Sequence, residues 1–194
     1  SLSSNAVIEN EMTGETRKVM VQPFTNYNVV VFDKSLKNNS YLSFINTNVS
    51  MAGSPFRANV TATEFELRDK TKTYAFKGKG GISTRGDTLI ENGYFATVGF
   101  EKNQGDFQYG ANQKVYSDTY NPNDLGYLQR NNQLTSEGWL YYQIIEPFGI
   151  FNEVKGDIWT AYNRIYKPTT LFDHEFGYDL SARFKNNNFG AFNG

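Results

Sequence analysis

Hydrophobic and polar residues alternate along much of this chain. The clearest run is Phe176–Lys185, where the even positions are apolar or aromatic and the odd positions are small, polar or charged. A period of two places successive side chains on opposite faces of a β-strand. One face of this strand therefore meets an apolar environment and the other meets water. Helical periodicity is weak throughout, so the pattern predicts an antiparallel all-β protein.

The same alternation predicts three hairpins and two further strands. The hairpins pair residues 60–67 with 73–79, residues 94–100 with 107–111, and residues 138–146 with 157–167. The further strands cover residues 29–32 and 40–49. In the first hairpin the apolar phase slips at Glu64, which predicts a β-bulge that keeps Val60, Ala62, Phe65 and Leu67 on one face.

The predicted strands are about 9–12 residues long, which suits tilted strands that cross a bilayer better than ordinary globular strands. The fold class we predict is an antiparallel up-and-down meander of long amphipathic strands, forming a transmembrane β-barrel or part of one. Residues 29–194 form this barrel segment of about eight to ten strands, and residues 1–28 are a lead-in. No strand is evident after the turn Asn186–Asn188, so we expect the rest of a longer chain or a partner to close the barrel.

Aromatic residues make up 16% of the chain and cluster near the predicted strand ends. In a membrane barrel they would form girdles at the two interfaces, whereas in a soluble sheet they would pack in a core or across strands. Composition leaves both interpretations open. The cluster comprises Tyr41, Tyr94, Phe95, Tyr127, Trp139, Tyr141, Tyr142, Trp159, Tyr162, Tyr166, Phe172 and Tyr178.

Composition narrows the possible functions. The absence of Cys excludes thiol catalysis, disulfides and Cys-ligated metal sites within these residues. The net charge of −1 gives no general attraction to nucleic acid. No apolar run is long enough for a transmembrane helix. The mean hydropathy of −0.57 is compatible with a barrel, because its strands average apolar and polar positions.

Three motifs carry a resemblance to a known family. They are VFDKSLKNNSY at residues 31–41, TEFELRDK at residues 63–70, and YNPNDLGYL at residues 120–128. The segment resembles an uncharacterised family of Bacteroidota surface proteins over about residues 29–184. In that family a carbohydrate-binding domain similar to family 9 modules precedes a C-terminal domain of unknown function that looks like an outer-membrane β-barrel. The resemblance implies that this chain is part of the barrel-like domain, and it supplies no catalytic residues.

Two sets of side chains are candidates for catalysis. His174 is the single histidine, and it follows the strand pattern of Phe172 and Phe176 without a nucleophile motif in the chain. Glu64 and Glu66 lie two residues apart, on one face of a strand, as an acid/base pair would require. The alternative for the two glutamates is a charge ladder facing water or a lumen, and this is the interpretation we favour.

Two loops are candidates for ligand binding. Asp118, Asn121, Asn123 and Asp124 offer oxygen ligands for Ca²⁺, although their spacing fails the EF-hand pattern and turn chemistry also explains them. Residues 78–81 (GKGG) resemble a phosphate loop but lack the Lys-Ser/Thr ending, so a bulge or close backbone approach is the better interpretation. We therefore assign no catalytic, cofactor-binding or metal-binding residues and predict no cofactor.

The sequence favours an outer-membrane β-barrel segment over an enzyme. Its expected role is transport or anchoring at the cell surface, linked to carbohydrate uptake or binding. Expected partners are membrane lipid, glycan, and the rest of a longer chain or other outer-membrane subunits, with no nucleic acid. One alternative is a soluble β-sandwich or lipocalin-like barrel that binds a glycan or another small ligand. A secreted glycosidase is the third hypothesis, and it would need two converging carboxylates.

Overall fold

A computed structural model describes residues 3–9, 14–124 and 128–194, and the protein is built almost wholly from β-strands. The strands are β1 Ser4–Glu9, β2 Thr16–Gln22, β3 Thr25–Ser35, β4 Tyr41–Met51, β5 Arg57–Arg68, β6 Tyr74–Gly86, β7 Ile90–Lys102, β8 Phe107–Tyr116, β9 Gln133–Ile144, β10 Phe151–Ile165, β11 Thr170–Phe184 and β12 Phe189–Asn193. A single 3-10 turn, Lys37–Asn39, lies between β3 and β4. Within the described ranges, no helix is long and apolar enough to cross a membrane.

Strands β3 to β12 form one ten-stranded sheet. Each strand pairs antiparallel with its neighbours in the chain, which gives an uninterrupted up-and-down meander. Strands β1 and β2 form a separate two-stranded sheet. In the part of the chain that the structure describes, no ladder of hydrogen bonds joins β3 to β12, so the sheet is open. The antiparallel meander is confirmed.

Most predicted strands are present, and three were missed. The hairpins β5–β6, β7–β8 and β9–β10 and the strands β3, β4 and β11 match their predictions. The alternation pattern did not indicate β1 and β2, which lie within the predicted lead-in. It also missed β12, whose five residues Phe189–Asn193 pair with the C-terminal part of β11.

The predicted bulge at Glu64 was wrong. The register of β5 is continuous with β4 and with β6, so Glu64 and Phe65 point to opposite faces. Val60 and Ala62 therefore share a face with Glu64, and not with Phe65 and Leu67. The apolar pattern changes face here because Ala62 is buried beneath a loop that packs on the polar side of the sheet.

The register separates the sheet into two faces of contrasting chemistry, because residues directly opposite each other on paired strands share a face. We call them the polar face and the apolar face. One row across the polar face comprises Tyr41, Glu66, Lys77, Gly99, Asn112, Glu137, Ala161 and Glu175. One row across the apolar face comprises Leu67, Phe76, Phe100, Ala111, Gly138, Thr160 and Phe176.

This single layer of sheet leaves most apolar side chains exposed. The accessible surface of the chain is 13233 Å². A compact globular chain of 22.1 kDa is expected to expose about 9,300 Å². Among the described residues, the buried apolar side chains are few. They are Val49, Ala58, Ala62, Ala75, Phe95 and Tyr120. The apolar face of the sheet is therefore largely exposed in this structure.

The two ends of the sheet differ in their connections. At one end, the turn end, the strands are joined by short segments such as 69–73 and 103–106. In the first of these, the Asp69 carboxylate accepts hydrogen bonds from the backbone N–H of Thr71 at 3.2 Å and of Tyr74 at 2.9 Å. Hydrogen bonds lower the pKa of the Asp69 carboxyl. The bond from the Thr71 side chain has the largest effect, and the backbone bonds add to it. The other end, the loop end, carries the long loop 117–132.

Candidate functional site

A ladder of alternating charges runs along the polar face. Glu66 pairs with Arg68 and lies 3.9 Å from Lys77, and the Lys77 Nζ lies 2.7 Å from the Glu101 Oε1. Further along, Lys114 Nζ lies 2.6 Å from Glu137 Oε1. These side chains are partly exposed, so each pair contributes little stability by itself. Their common effect is a hydrated, charged surface on one side of the sheet.

Glu64 and Glu66 belong to this surface, as the sequence indicated. Glu64 accepts a hydrogen bond from the Tyr41 hydroxyl at 2.7 Å and lies 3.9 Å from Lys79. Glu66 is held by Arg68 and Lys77. Each carboxylate therefore has its own hydrogen-bond or ion-pair partners, as in a charge ladder.

The described parts of the loop after β8, residues 117–124 and 128–132, pack back onto the polar face near the loop end. The Tyr120 ring contacts the rings of Phe95, at 5.0 Å between centroids, and Tyr116, at 5.8 Å. Leu128 and Ala62 complete this cluster. The approach depends on a glycine beneath the loop, because a Cβ at Gly93 would lie 2.2 Å from the Tyr120 backbone.

Polar contacts fix the same loop to β6. The Asn121 N–H donates to the Ser83 hydroxyl at 3.0 Å, and the Asp124 carboxylate pairs with Arg85. Burial raises the pKa of the Tyr120 hydroxyl to about 12. The phenol is therefore neutral below the alkaline range of pH.

The oxygen-rich loop predicted as a calcium candidate uses its oxygens within the protein. The Asn121 Oδ1 accepts from the N–H of Asn123 at 3.1 Å, and the Asn123 Oδ1 accepts from the N–H of Leu128 at 2.7 Å. Asp124 pairs with Arg85, and Asp118 lies 3.8 Å from Lys167. Across residues 3–9, 14–124 and 128–194, no group of three or more His, Asp or Glu side chains is placed to hold a metal ion.

The other two sequence candidates lie within strands. The His174 Nε2 is 2.9 Å from the Thr160 hydroxyl, and its ring meets Tyr162 edge-on at 5.7 Å, on the apolar face. Residues 78–81 belong to β6. A Cβ at Gly78 would lie 2.4 Å from the Phe65 ring, so this glycine allows a close approach across strands, as its sequence context indicated.

Two tryptophans lie side by side in the middle of the polar face. Trp139 on β9 is directly opposite Trp159 on β10. Trp139 leans over Gly110 of β8, where a Cβ would lie 2.5 Å from the indole nitrogen. Trp159 leans the other way over Gly177 of β11, where a Cβ would lie 2.6 Å from the indole. We call these two rings and the glycines beneath them the tryptophan floor.

Hydrogen-bonding side chains flank the tryptophan floor on both sides. On the turn-end side, Tyr141, Asp157 and Asp179 form the next row of the polar face. On the loop-end side, Glu137 and Glu175 lie in the row that also contains Ala161. The floor is thus an aromatic surface bordered by carboxylates and a phenol.

The apolar face carries a different aromatic feature, a belt near the turn end. Five contacts between rings, with centroids 5.5–6.5 Å apart, link aromatic side chains from β5 to β9. The members of this aromatic belt are Phe65, Tyr74, Phe76, Phe100, Phe107, Tyr109 and Tyr142. Membrane β-barrels typically carry girdles of aromatic side chains at the two membrane interfaces.

The sequence identified the aromatic cluster but not its division between the faces. Tyr142 belongs to the aromatic belt, and Tyr94, Tyr162 and Tyr178 also lie on the apolar face. Composition had left open whether this cluster forms interfacial girdles or packs across strands, and register places five of its residues on the polar face. These are Tyr41, Phe95, Trp139, Tyr141 and Trp159. Tyr127 lies outside the described residues.

Comparison with known proteins defines the class of this chain. The sequence of this antiparallel β-domain matches one family over residues 1–193. The family is described as a domain of unknown function, DUF5916. The chain belongs to the DUF5916 family. No curated protein and no solved structure matches the chain.

Proposed function

We propose that this chain is a wall segment of an outer-membrane β-barrel, with the apolar face against lipid and the polar face against a water-filled lumen. Its work is transport or anchoring at the cell surface, without a catalytic role of its own. The observation that carries the proposal is the pairing of a broad exposed apolar face, edged by the aromatic belt, with a charged opposite face. Lipid suits the apolar face, and water suits the charged face.

The dimensions of the sheet support this proposal. Strand β7 extends from Ile90 to Lys102, and β10 and β11 are longer still. From Tyr94 to Phe100 the apolar face of β7 carries Ala96 and Val98. A strand of this length, tilted by about 45°, is sufficient to cross the hydrocarbon core of a bilayer.

The open edges of the sheet support the need for a partner in the barrel. Among the described residues, no ladder of hydrogen bonds joins β3 to β12, so both edge strands have unpaired backbone groups. Unpaired backbone groups are not tolerated against lipid. We therefore infer that further strands, from a longer chain or another subunit, complete the wall.

A pair of tryptophan reporters tests the proposal. Tyr141 and Tyr142 are neighbours on β9 that point to opposite faces, and both native tryptophans lie on the polar face. The full chain is folded into vesicles of phosphatidylcholine brominated on its acyl chains, which quenches only fluorophores that contact lipid. Tyr142→Trp should add fluorescence that the brominated lipid quenches. Tyr141→Trp should add fluorescence that acrylamide in the aqueous phase quenches and the lipid does not.

The outcomes of the reporter experiment separate the hypotheses. Equal quenching of both reporters by lipid would contradict the assignment of the faces. Failure of the lipid to quench either reporter, together with release of the native protein from membranes by alkaline carbonate, would overturn the membrane proposal. The soluble β-sandwich or lipocalin-like domain would then replace it.

A further inference from the structure

The tryptophan floor is built in a way that strand packing alone does not require. Both tryptophans of the chain occupy one cross-strand pair, and both lean over a glycine on the neighbouring strand. A ring that leans over a glycine lies close against the sheet and turns its outer surface away from it. Trp159 remains 42% exposed, so its indole offers a free aromatic surface.

The floor is extended across the strands. Trp139 reaches towards β8 and Trp159 towards β11, so the two rings and their glycines span four strands. Three spacings between strands amount to about 14 Å. Such a surface is wider than a site for one small ring, and it suits a ligand with several flat apolar faces in a row.

Side chains at the border of the floor supply hydrogen-bond acceptors for a ligand. A pyranose that stacks on an indole presents C–H groups to the ring, and its equatorial hydroxyls point outward in the plane of the sugar. Acceptors are therefore needed beside the aromatic surface rather than above it. Asp157 and Asp179 lie along one side, and Glu175 lies along the other. Glu137 shares the row of Glu175, but its two oxygens already accept from Lys114 and Asn112. Apolar contact with a few placed polar groups is the usual composition of a ligand site.

We infer that the tryptophan floor binds a short neutral oligosaccharide, which stacks on Trp139 and Trp159 and donates hydroxyl hydrogen bonds to the flanking carboxylates. The inference rests on the proposed function only in that the polar face must be open to water. It goes beyond that function by assigning the ligand class and the residues that hold it.

Charge alone would also attract an organic cation to these carboxylates, but the shape of the floor favours the saccharide. A cation is best held where several aromatic rings surround it. Here the two indoles lean in opposite directions over separate glycines, so they form a surface and not a cage. The cation is therefore an outcome of the test and not the proposal.

Intrinsic fluorescence tests this inference directly, because both tryptophans of the chain are in the floor. The full chain in detergent is titrated with maltohexaose, cellohexaose and mannohexaose, and separately with tetraethylammonium. At least one hexaose should change the tryptophan emission saturably and protect it from acrylamide. Trp139→Ala and Trp159→Ala should each weaken binding about tenfold or more, as expected for aromatic residues that dominate an interface.

Matched variants separate stacking from folding. Tyr142→Ala removes an aromatic side chain from the same strand as Trp139, on the apolar face, and should leave the affinity unchanged. Trp159→Phe should retain part of the affinity that Trp159→Ala loses. Asp157→Asn should weaken binding, because an amide accepts a hydroxyl hydrogen bond less strongly than a carboxylate.

A response to tetraethylammonium without a response to any hexaose would overturn the inference in favour of a cation site. So would the absence of any response. Equal loss of binding in Tyr142→Ala and Trp159→Ala would also overturn it, because the effect would then be general. If the reporters at positions 141 and 142 show the expected quenching pattern in brominated vesicles, the failure belongs to this inference and not to the proposed function.

Discussion

Glycine and aromatic residues occur on this sheet as matched cross-strand partners. Gly110 lies beneath Trp139, Gly177 beneath Trp159, and Gly78 beneath Phe65. In each pair the absence of a Cβ lets a large ring cover the neighbouring strand. This packing compensates for the weakness that a glycine introduces into a strand. It accounts for the glycines at positions 78, 110 and 177 in the interiors of their strands.

The first prediction concerns Gly177. In Gly177→Ala the new Cβ would lie 2.6 Å from the Trp159 ring, so the ring must tilt away from the sheet. We expect a shift of the tryptophan emission spectrum and a loss of about 1–3 kcal/mol of unfolding free energy, as for overpacked sites. Both are measured by denaturant titration followed by fluorescence.

Gly138→Ala is the matched control for this prediction. It makes the same substitution in β9, where the nearest atom to the new Cβ is at 3.8 Å. Its emission and stability should stay close to those of the unmodified chain. An equal effect of the two substitutions would show that strand glycines matter for the backbone and not for the tryptophan floor.

The second prediction concerns Tyr120 and alkaline pH. Burial raises the pKa of its hydroxyl to about 12, whereas the pKa of an exposed tyrosine is about 10. The docked loop therefore binds the proton of the Tyr120 hydroxyl more tightly than the undocked loop does. The contribution of this group to docking is complete below about pH 10 and is lost as the pH rises towards 12. Hydrogen exchange of the Asn121 amide, which donates to Ser83, should accelerate over this range beyond the intrinsic effect of pH.

Tyr120→Phe removes the titrating group and keeps the ring. The Asn121 amide of this variant should show no additional acceleration between pH 10 and 12. If the variant and the unmodified chain behave alike, ionisation of another group must release the loop.

At the scale of the strand, alternation assigns each position to the apolar or the polar face, and the proposed function places the first against lipid and the second against water. Ile158 lies in the middle of β10 on the apolar face, beside Leu140 and Tyr178. Ala161 lies three residues further on, on the polar face, between Glu137 and Glu175. The same strand can therefore carry a charge at one of these positions and not at the other.

The third prediction uses this contrast in vesicles. Ile158→Lys should lower the unfolding free energy by about 2–4 kcal/mol, the cost of a lysine facing lipid at the middle of a bilayer. Ala161→Lys should be neutral or slightly stabilising, because the ammonium gains two cross-strand carboxylates. Urea titration of both variants measures the difference, and equal destabilisation would contradict the assignment of β10.

At the scale of the whole molecule, the sheet exposes both faces and two edges. Exposed apolar surface of this extent is characteristic of contact with lipid or another protein. The free edges of β3 and β12 add backbone groups that pair readily with other chains. The molecule is thus incomplete as a compact unit in water.

The fourth prediction follows from this exposure. The isolated chain should be monodisperse in detergent micelles and should self-associate when the detergent is removed. Analytical ultracentrifugation with and without detergent measures the state. A stable monomer in plain buffer would mean that the apolar face closes on itself, as in a soluble β-sandwich or lipocalin-like barrel.

The sequence by itself determined strands β3 to β11, their order as a meander and most of their faces, but not β1, β2 or β12. Period-two alternation is a local property that follows directly from the pleat of a strand, so Phe76, Val98 and Phe176 could be assigned to one face without a structure. The turn at Asp69 was visible for the same reason, because its hydrogen bonds are formed within a few residues.

Only the tertiary structure decided which aromatic residues share a surface. Val60 and Ala62 appeared to belong with Phe65 because the loop that covers Ala62 is distant in the sequence. Spacing left Trp139 and Trp159 open as interfacial or cross-strand residues, and strand register brings them together on the polar face, over Gly110 and Gly177. Register and loop docking are long-range properties, so composition and spacing could supply the members of the floor but not their arrangement.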